Sequence, residues 1–229
     1  HFAIAEKKEN VWIAQRQGRA KNSNDLTQPA ILKMMAMGGE GTVIERLKQL
    51  HIVPLAISYE YDPCDYLKAR EYQLRRDVPF WKKTAEDDME SMLVGIKGYK
   101  GHIFYKCASC IDEWLDTVDG EQPKNKLFDE IAAHIDHEIH CNYRLYPVNY
   151  AALDMIQDTR VYEEYYTPED YQDFEHYLEG QIEKIDIENR DDKFLRTCLL
   201  TQYAYPAKNY IAASPENGRF KSLLNRLTF

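Results

Sequence analysis

The sequence predicts an α/β fold followed by an all-helical C-terminal extension. Three observations predict it. Short, branched, apolar runs at 11–15 (VWIAQ), 51–59 (HIVPLAISY) and 101–107 (GHIFYKC) are separated by helix-length segments, a strand–helix–strand alternation. After Pro123 only long helical periods of polar and apolar residues remain. Between the two regions lies a polar seam, DTVDGEQPKNK at 116–126, containing Gly120 and Pro123. The expected division is therefore an α/β portion at 1–120 and a helical extension at 121–229.

Each element has its own signal. HFAIAEKKEN reads as the middle of a helix and carries no initiator methionine, so part of the natural protein is expected to precede it. The run 11–15 is a strand that leaves through a loop with turn formers Asn22, Asn24 and Asp25 before a helix near Thr27. Gly38, Gly39 and Gly41 mark a junction between two helices, and Thr42-Val43-Ile44-Glu45 fits a capping box. Thr84 before AEDD is a further N-cap with carboxylates at the positive end of the helix dipole. The strand at 101–107 follows through GYKG. Helical periods then cover 124–142, 147–156, 168–187 and 191–204, the third opened by Thr167-Pro168-Glu169-Asp170 with proline at the first helical position. The tyrosine-rich stretch 161–177 is acidic and amphipathic, which suits ring bodies packed inward with wet hydroxyls.

Composition excludes several classes. With 44% hydrophobic and 29% charged residues the chain is of the globular type and lacks the signature of disorder. No run approaches the roughly 18 apolar residues of a spanning helix, and no signal peptide is present. Five irregularly spaced cysteines do not make a disulfide framework, which favours a reducing, intracellular compartment. A net charge of -9 argues against a nucleic-acid partner.

Against that acidic background one segment stands out. Arg16, Arg19 and Lys21 surround Gly18 at the end of an apolar run. Glycine lets a main chain approach closely, and the three cations can surround a phosphate with charge-assisted hydrogen bonds. The alternative is a solvated basic turn. GGEGT lacks a preceding strand and matches no nucleotide loop, so its glycines are expected to end helices. CASC at Cys107–Cys110 has the spacing of half a zinc site, with no second such pair, or of a redox pair at a strand-to-helix turn. HIDHEIHC places His134, His137 and Cys141 on one helical face, where a single helix does not close a tetrahedral site. No metal or further cofactor is expected, and no nucleophile elbow is present.

The segments VWIAQRQGRAKNSNDLTQPAILKM and HIVPLAISYEYDPCDYLKAR together resemble the later blocks of the glycerolipid acyltransferase family, in particular a bacterial glycerol acyltransferase subgroup related to the lysophosphatidate acyltransferases. Gln17-Gly18-Arg19 stands where the family has a glutamate-glycine-threonine-arginine type of loop, and Val53-Pro54-Leu55-Ala56-Ile57 stands in its later Val-Pro strand. The resemblance implies a mixed sheet with covering helices over 1–120, a partial version of the family fold. It also implies transfer of a fatty acyl group from acyl-CoA or an acyl carrier protein to a glycerol-phosphate lipid in phospholipid synthesis. In that reading Arg16, Gly18, Arg19 and Lys21 bind the acceptor phosphate, and the protein works in the cytoplasm, peripheral to the inner membrane with transient contact to its surface.

Two departures accompany the likeness. Gln17 replaces the usual glutamate, and none of the seven histidines is followed five positions on by the aspartate of the family's His-x4-Asp base. The base is therefore expected outside this chain, and no catalytic residue is assigned within it. Two other classes remain: a non-catalytic module for anions or lipid phosphates, and a helical interaction module presenting Tyr166, Tyr171 and Phe174 to a partner.

Overall fold

The computed structural model describes residues 1–16 and 20–214. It is mostly helical, 56%, with a two-stranded antiparallel sheet in place of the expected mixed sheet. The strands are β1, Leu55–Tyr59, and β2, Ile103–Cys107. The third expected strand does not form: residues 11–14 have no regular structure, and Val11, Trp12 and Ile13 are exposed. A branched apolar run becomes a strand only when a ladder of backbone bonds forms beside it, and among the described residues the run makes a single one, from the Gln28 N–H to the Gln15 carbonyl at 2.9 Å. The N-terminal helix is likewise reduced to one π-helical turn, Phe2–Glu6.

The remaining helices are α1 (Pro29–Met35), α2 (Val43–Lys48), α3 (Asp65–Asp77), α4 (Ala85–Lys97), α5 (Asp112–Leu115), α6 (Lys124–Cys141), α7 (Pro147–Gln157), α8 (Pro168–Glu183) and α9 (Asp192–Ala213). The expected N-caps are in place. Thr42 with Glu45, Thr84 with Asp87 and Thr167 with Asp170 each close a capping box. Gly39 and Gly41 take φ of 82° and 95° between α1 and α2, and a side chain on Gly41 would meet the Glu45 carboxylate of the box. No helix among the described residues is long and apolar enough to cross a membrane.

The chain divides into two compact units, each assembled from three stretches. The first comprises His1–Arg19, Asp25–Ala56 and Tyr105–Tyr143, so the 116–126 seam and α6 both lie within it. Its core is a helical stripe: Leu127, Phe128, Ile131, Ile135 and Ile139 of α6 share one face and bury Leu32 of α1, Ala36 just after it, Leu47 of α2, and Ile111 and Leu115. Thr27 ties the chain to this helix, its main-chain N–H and hydroxyl both donating to Asp136 Oδ1 at 2.8 and 2.6 Å. Burial holds the Asp136 carboxyl above its ordinary value, against those two hydrogen bonds.

The second unit comprises Ala20–Asn24, Ile57–Phe104 and Arg144–Phe229. Small residues Ala151 and Ala152 of α7 and Ala204 and Ala207 of α9 are fully buried and let these helices pack closely, with Phe174 and Leu178 of α8 completing the core. The tyrosine-rich stretch faces inward as its amphipathicity predicts. Phe174 is fully buried and so does not belong to an outward partner surface, whereas Tyr166 and Tyr171 are half-buried, Tyr171 packing against the core and the Tyr166 hydroxyl donating to buried Asp154 at 2.9 Å. Asp154 also accepts from the main-chain N–H groups of Val161 and Tyr162, at 2.8 and 2.9 Å. Helix α9 outruns its expected end and continues through Pro206, whose ring nitrogen has no N–H for the Gln202 carbonyl.

Candidate functional site

Of the four residues read from the sequence as an anion site, Gly18 and Arg19 lie outside the described residues. Arg16 is part-buried and approaches Asp25 at 3.5 Å, a long ion pair of small worth, while its Nε is buried with no partner among the described residues. The turn that follows takes the anticipated form: the main-chain N–H of Asn24 donates to the Asn22 side chain at 3.1 Å, and Ser23 sits at φ 60°.

Lys21 makes an ion pair with Glu71 on α3, a partner far away in the chain that no local pattern announces. Glu71 is buried and is also held by Arg75 at 2.7 Å. Burial, with repulsion from Arg75 and Lys83, lowers the Lys21 ammonium to about 8.

Beside this pair α3 and α4 flank a shallow open cleft with a cavity volume of only about 20 Å³, lined by Arg70, Glu71, Trp81, Lys83, Asp87 and Ser91 among others. Lys83 donates to Ser91 Oγ at 3.0 Å and pairs with Asp88 at 2.8 Å; Arg70 lies 3.9 Å from Asp87. The cavity volume is little more than the space of one water molecule, so the cleft does not house an acyl chain.

A second buried polar group was hidden in the sequence. Asp65, at the start of α3, is fully buried; its Oδ2 accepts from the hydroxyls of Tyr177 and Tyr203 at 2.7 and 2.6 Å, and its Oδ1 from the Tyr66 N–H at 2.6 Å. Burial raises the carboxyl to about 6 despite these donors, and it raises both phenols as well. The group can hold a proton near neutral pH. Enclosed as it is, it acts as a pin among α3, α8 and α9.

The cysteine and histidine motifs come apart. None of the five cysteines is in a disulfide, and Cys107 is exposed at the end of β2. His134 stacks on Trp114 with ring centroids 3.7 Å apart, whereas His137 lies against Cys141 at 3.6 Å, so the shared helical face is split between two separate contacts. His140 is buried, and desolvation lowers its imidazolium below the ordinary value.

One helix presents an unpartnered face. Met89, Met92, Leu93 and Ile96 of α4, spaced as one helical stripe, are all exposed, as is Phe80 before the helix. No family model, no curated protein and no solved structure matches the chain.

Proposed function

We propose that the chain forms part of a bacterial acyl-thioester-dependent O-acyltransferase, which moves a fatty acyl group from acyl-CoA or an acyl carrier protein to a hydroxyl of a glycerol-phosphate lipid. The observation that carries the reading is the joint occurrence of the Gln17-Gly18-Arg19 loop and the Val53-Pro54 lead-in to β1, in the order and composition of the glycerolipid acyltransferase blocks. In this reading Arg16, Arg19 and Lys21 supply cations to the acceptor phosphate and Gly18 permits close approach of the main chain. The Nε of Arg16, which has no partner among the described residues, is a donor suited to that anion.

The exposed stripe of α4 supports contact with the cytoplasmic face of the inner membrane. Lys82, Lys83, Lys97 and Lys100 flank the stripe in sequence, while the first turns of α4 carry Glu86, Asp87, Asp88 and Glu90, so the support comes from the apolar stripe itself. None of the seven histidines is assigned the role of general base, since none has an aspartate five positions on.

The test is calorimetric binding of a lysophosphatidate to this chain, with the corresponding monoacylglycerol as the phosphate-free control. Arg19→Ala should weaken lysophosphatidate by a charged hydrogen bond, about 1.5–3 kcal/mol, and leave the control unchanged. Equal affinity of the two chains for lysophosphatidate would remove the loop from the acceptor site.

A further inference from the structure

The chain leaving α2 and the chain leading into α5, both within the first unit, bring together three side chains of different donor chemistry. The lead-ins to the two strands pair beyond the strands themselves: Ala108 N–H donates to the Pro54 carbonyl at 2.9 Å and Ile111 N–H to the Ile52 carbonyl at 3.0 Å. That register sets His51 opposite Asp112. The His51 Nδ1 to Asp112 Oδ2 distance is 2.6 Å, and one donor atom from each of His51, Cys110 and Asp112 lies within 4.8 Å of the other two.

Two further features mark the cluster. Asp112 Oδ1 is buried with no hydrogen-bond partner among the described residues, an acceptor left without a donor. His51 stands at φ 48°, in the left-handed region, with its side chain 71% exposed, so the ring faces solvent on the side away from the carboxylate.

We propose that His51, Cys110 and Asp112 bind one divalent ion of the zinc class, with solvent in the remaining position. Imidazole, thiolate and carboxylate form a mixed set that suits zinc and its neighbours; magnesium and calcium call for oxygen donors. Zinc–ligand bonds of about 2.0–2.3 Å in a tetrahedron set donor atoms roughly 3.3–3.8 Å apart. The cluster therefore opens between His51 and Asp112, where the metal takes the place of the hydrogen bond. On binding, the Cys110 thiol gives up its proton to solvent and the neutral imidazole carries its single proton on the nitrogen that does not ligate.

Only one member of this set is visible as part of a cysteine motif. Cys110 belongs to CASC, but its partners in the cluster are a histidine 59 positions earlier and the aspartate two positions later, and Cys107 is not among them. The site is independent of the acceptor loop and stands or falls separately from the acyltransferase reading.

The experiment is titration of the reduced chain with cobalt(II), followed by zinc. One equivalent should bind with a thiolate-to-cobalt charge-transfer band in the near ultraviolet, and zinc should displace it. Cys110→Ser should abolish the band. His51→Asn, at an exposed position whose left-handed backbone asparagine tolerates, should keep the fold by far-ultraviolet circular dichroism and weaken cobalt at least about tenfold. Cys107→Ser and His137→Ala should bind as the parent does. Absence of the band from the parent chain, its persistence in Cys110→Ser, or its loss in Cys107→Ser or His137→Ala would overturn the assignment. Unchanged cobalt affinity in folded His51→Asn would do the same, whether or not Cys110→Ser can be obtained folded.

Discussion

The hydroxyl of Tyr203 donates a 2.6 Å hydrogen bond to Oδ2 of Asp65, fastening the middle of α9 to the first residue of α3. Both groups are buried, so losing the donor leaves a carboxyl group short of a partner where water does not reach. Tyr203→Phe should lower stability by about 1–3 kcal/mol in urea unfolding. Tyr177 still donates to the same oxygen at 2.7 Å, which sets the loss below that of an isolated charge. A midpoint within error of the parent would show that the hydroxyl contributes nothing net.

Asp65 also predicts a pH dependence. Burial raises its carboxyl from the ordinary 3.8 to about 6. Between those values the folded chain holds a proton that the unfolded chain has released, so stability falls as pH rises through the window, and above it the penalty is complete. Two pH units at such a buried site amount to about 3 kcal/mol. The stability difference between the parent and Asp65→Asn, measured by urea unfolding at intervals from pH 4 to 7, should decline across this range. Parallel curves would remove Asp65 as the source.

Lys21 should be the more nucleophilic of two comparably exposed lysines. Burial lowers it to about 8, whereas the hydrogen bond to Asp116 raises Lys48; their side chains are 24% and 33% exposed. Competitive amine acylation near pH 7.5, read by mass spectrometry, should label Lys21 at least about tenfold faster than Lys48. Equal labelling would mean that Glu71 holds the ammonium charged.

Gly101 should not tolerate a side chain. It stands at φ 59°, and a Cβ there would lie 2.3 Å from Glu60 Oε2, the oxygen that accepts from the His102 N–H at 2.8 Å. Gly101→Ala should cost about 1–2 kcal/mol through left-handed strain alone, with a further loss if Glu60 is displaced. Thermal unfolding with no decrease in midpoint would contradict this.

What the sequence made legible was local. The starts of α2, α4 and α8 were readable because Thr42, Thr84 and Thr167 cap N–H groups three residues away. β1 and β2 appear within their apolar runs, and α6 and α7 end within a residue of their expected bounds. What depends on a distant partner was not readable. The run 11–15 has strand composition but no strand beside it. The Lys21–Glu71 pair and the bonds from Tyr177 and Tyr203 to Asp65 join residues far apart in the chain, the last two separated by 112 and 138 positions. Of the anion segment, Arg16 and Lys21 could be placed with carboxylate partners, and Gly18 and Arg19 fall outside the described residues.

The assembly of each unit from three separate stretches bears on how the protein is made. On a ribosome, α1 and α2 emerge with their apolar faces uncovered and stay so until α6 follows, more than seventy residues after α2. Ala69 of α3 waits longer still, for its core neighbours on α9. Neither core can close early, and the nascent chain must keep its greasy surfaces apart from those of its neighbours throughout most of synthesis. Chaperone engagement should therefore be concentrated in the interval between the appearance of α2 and that of α9.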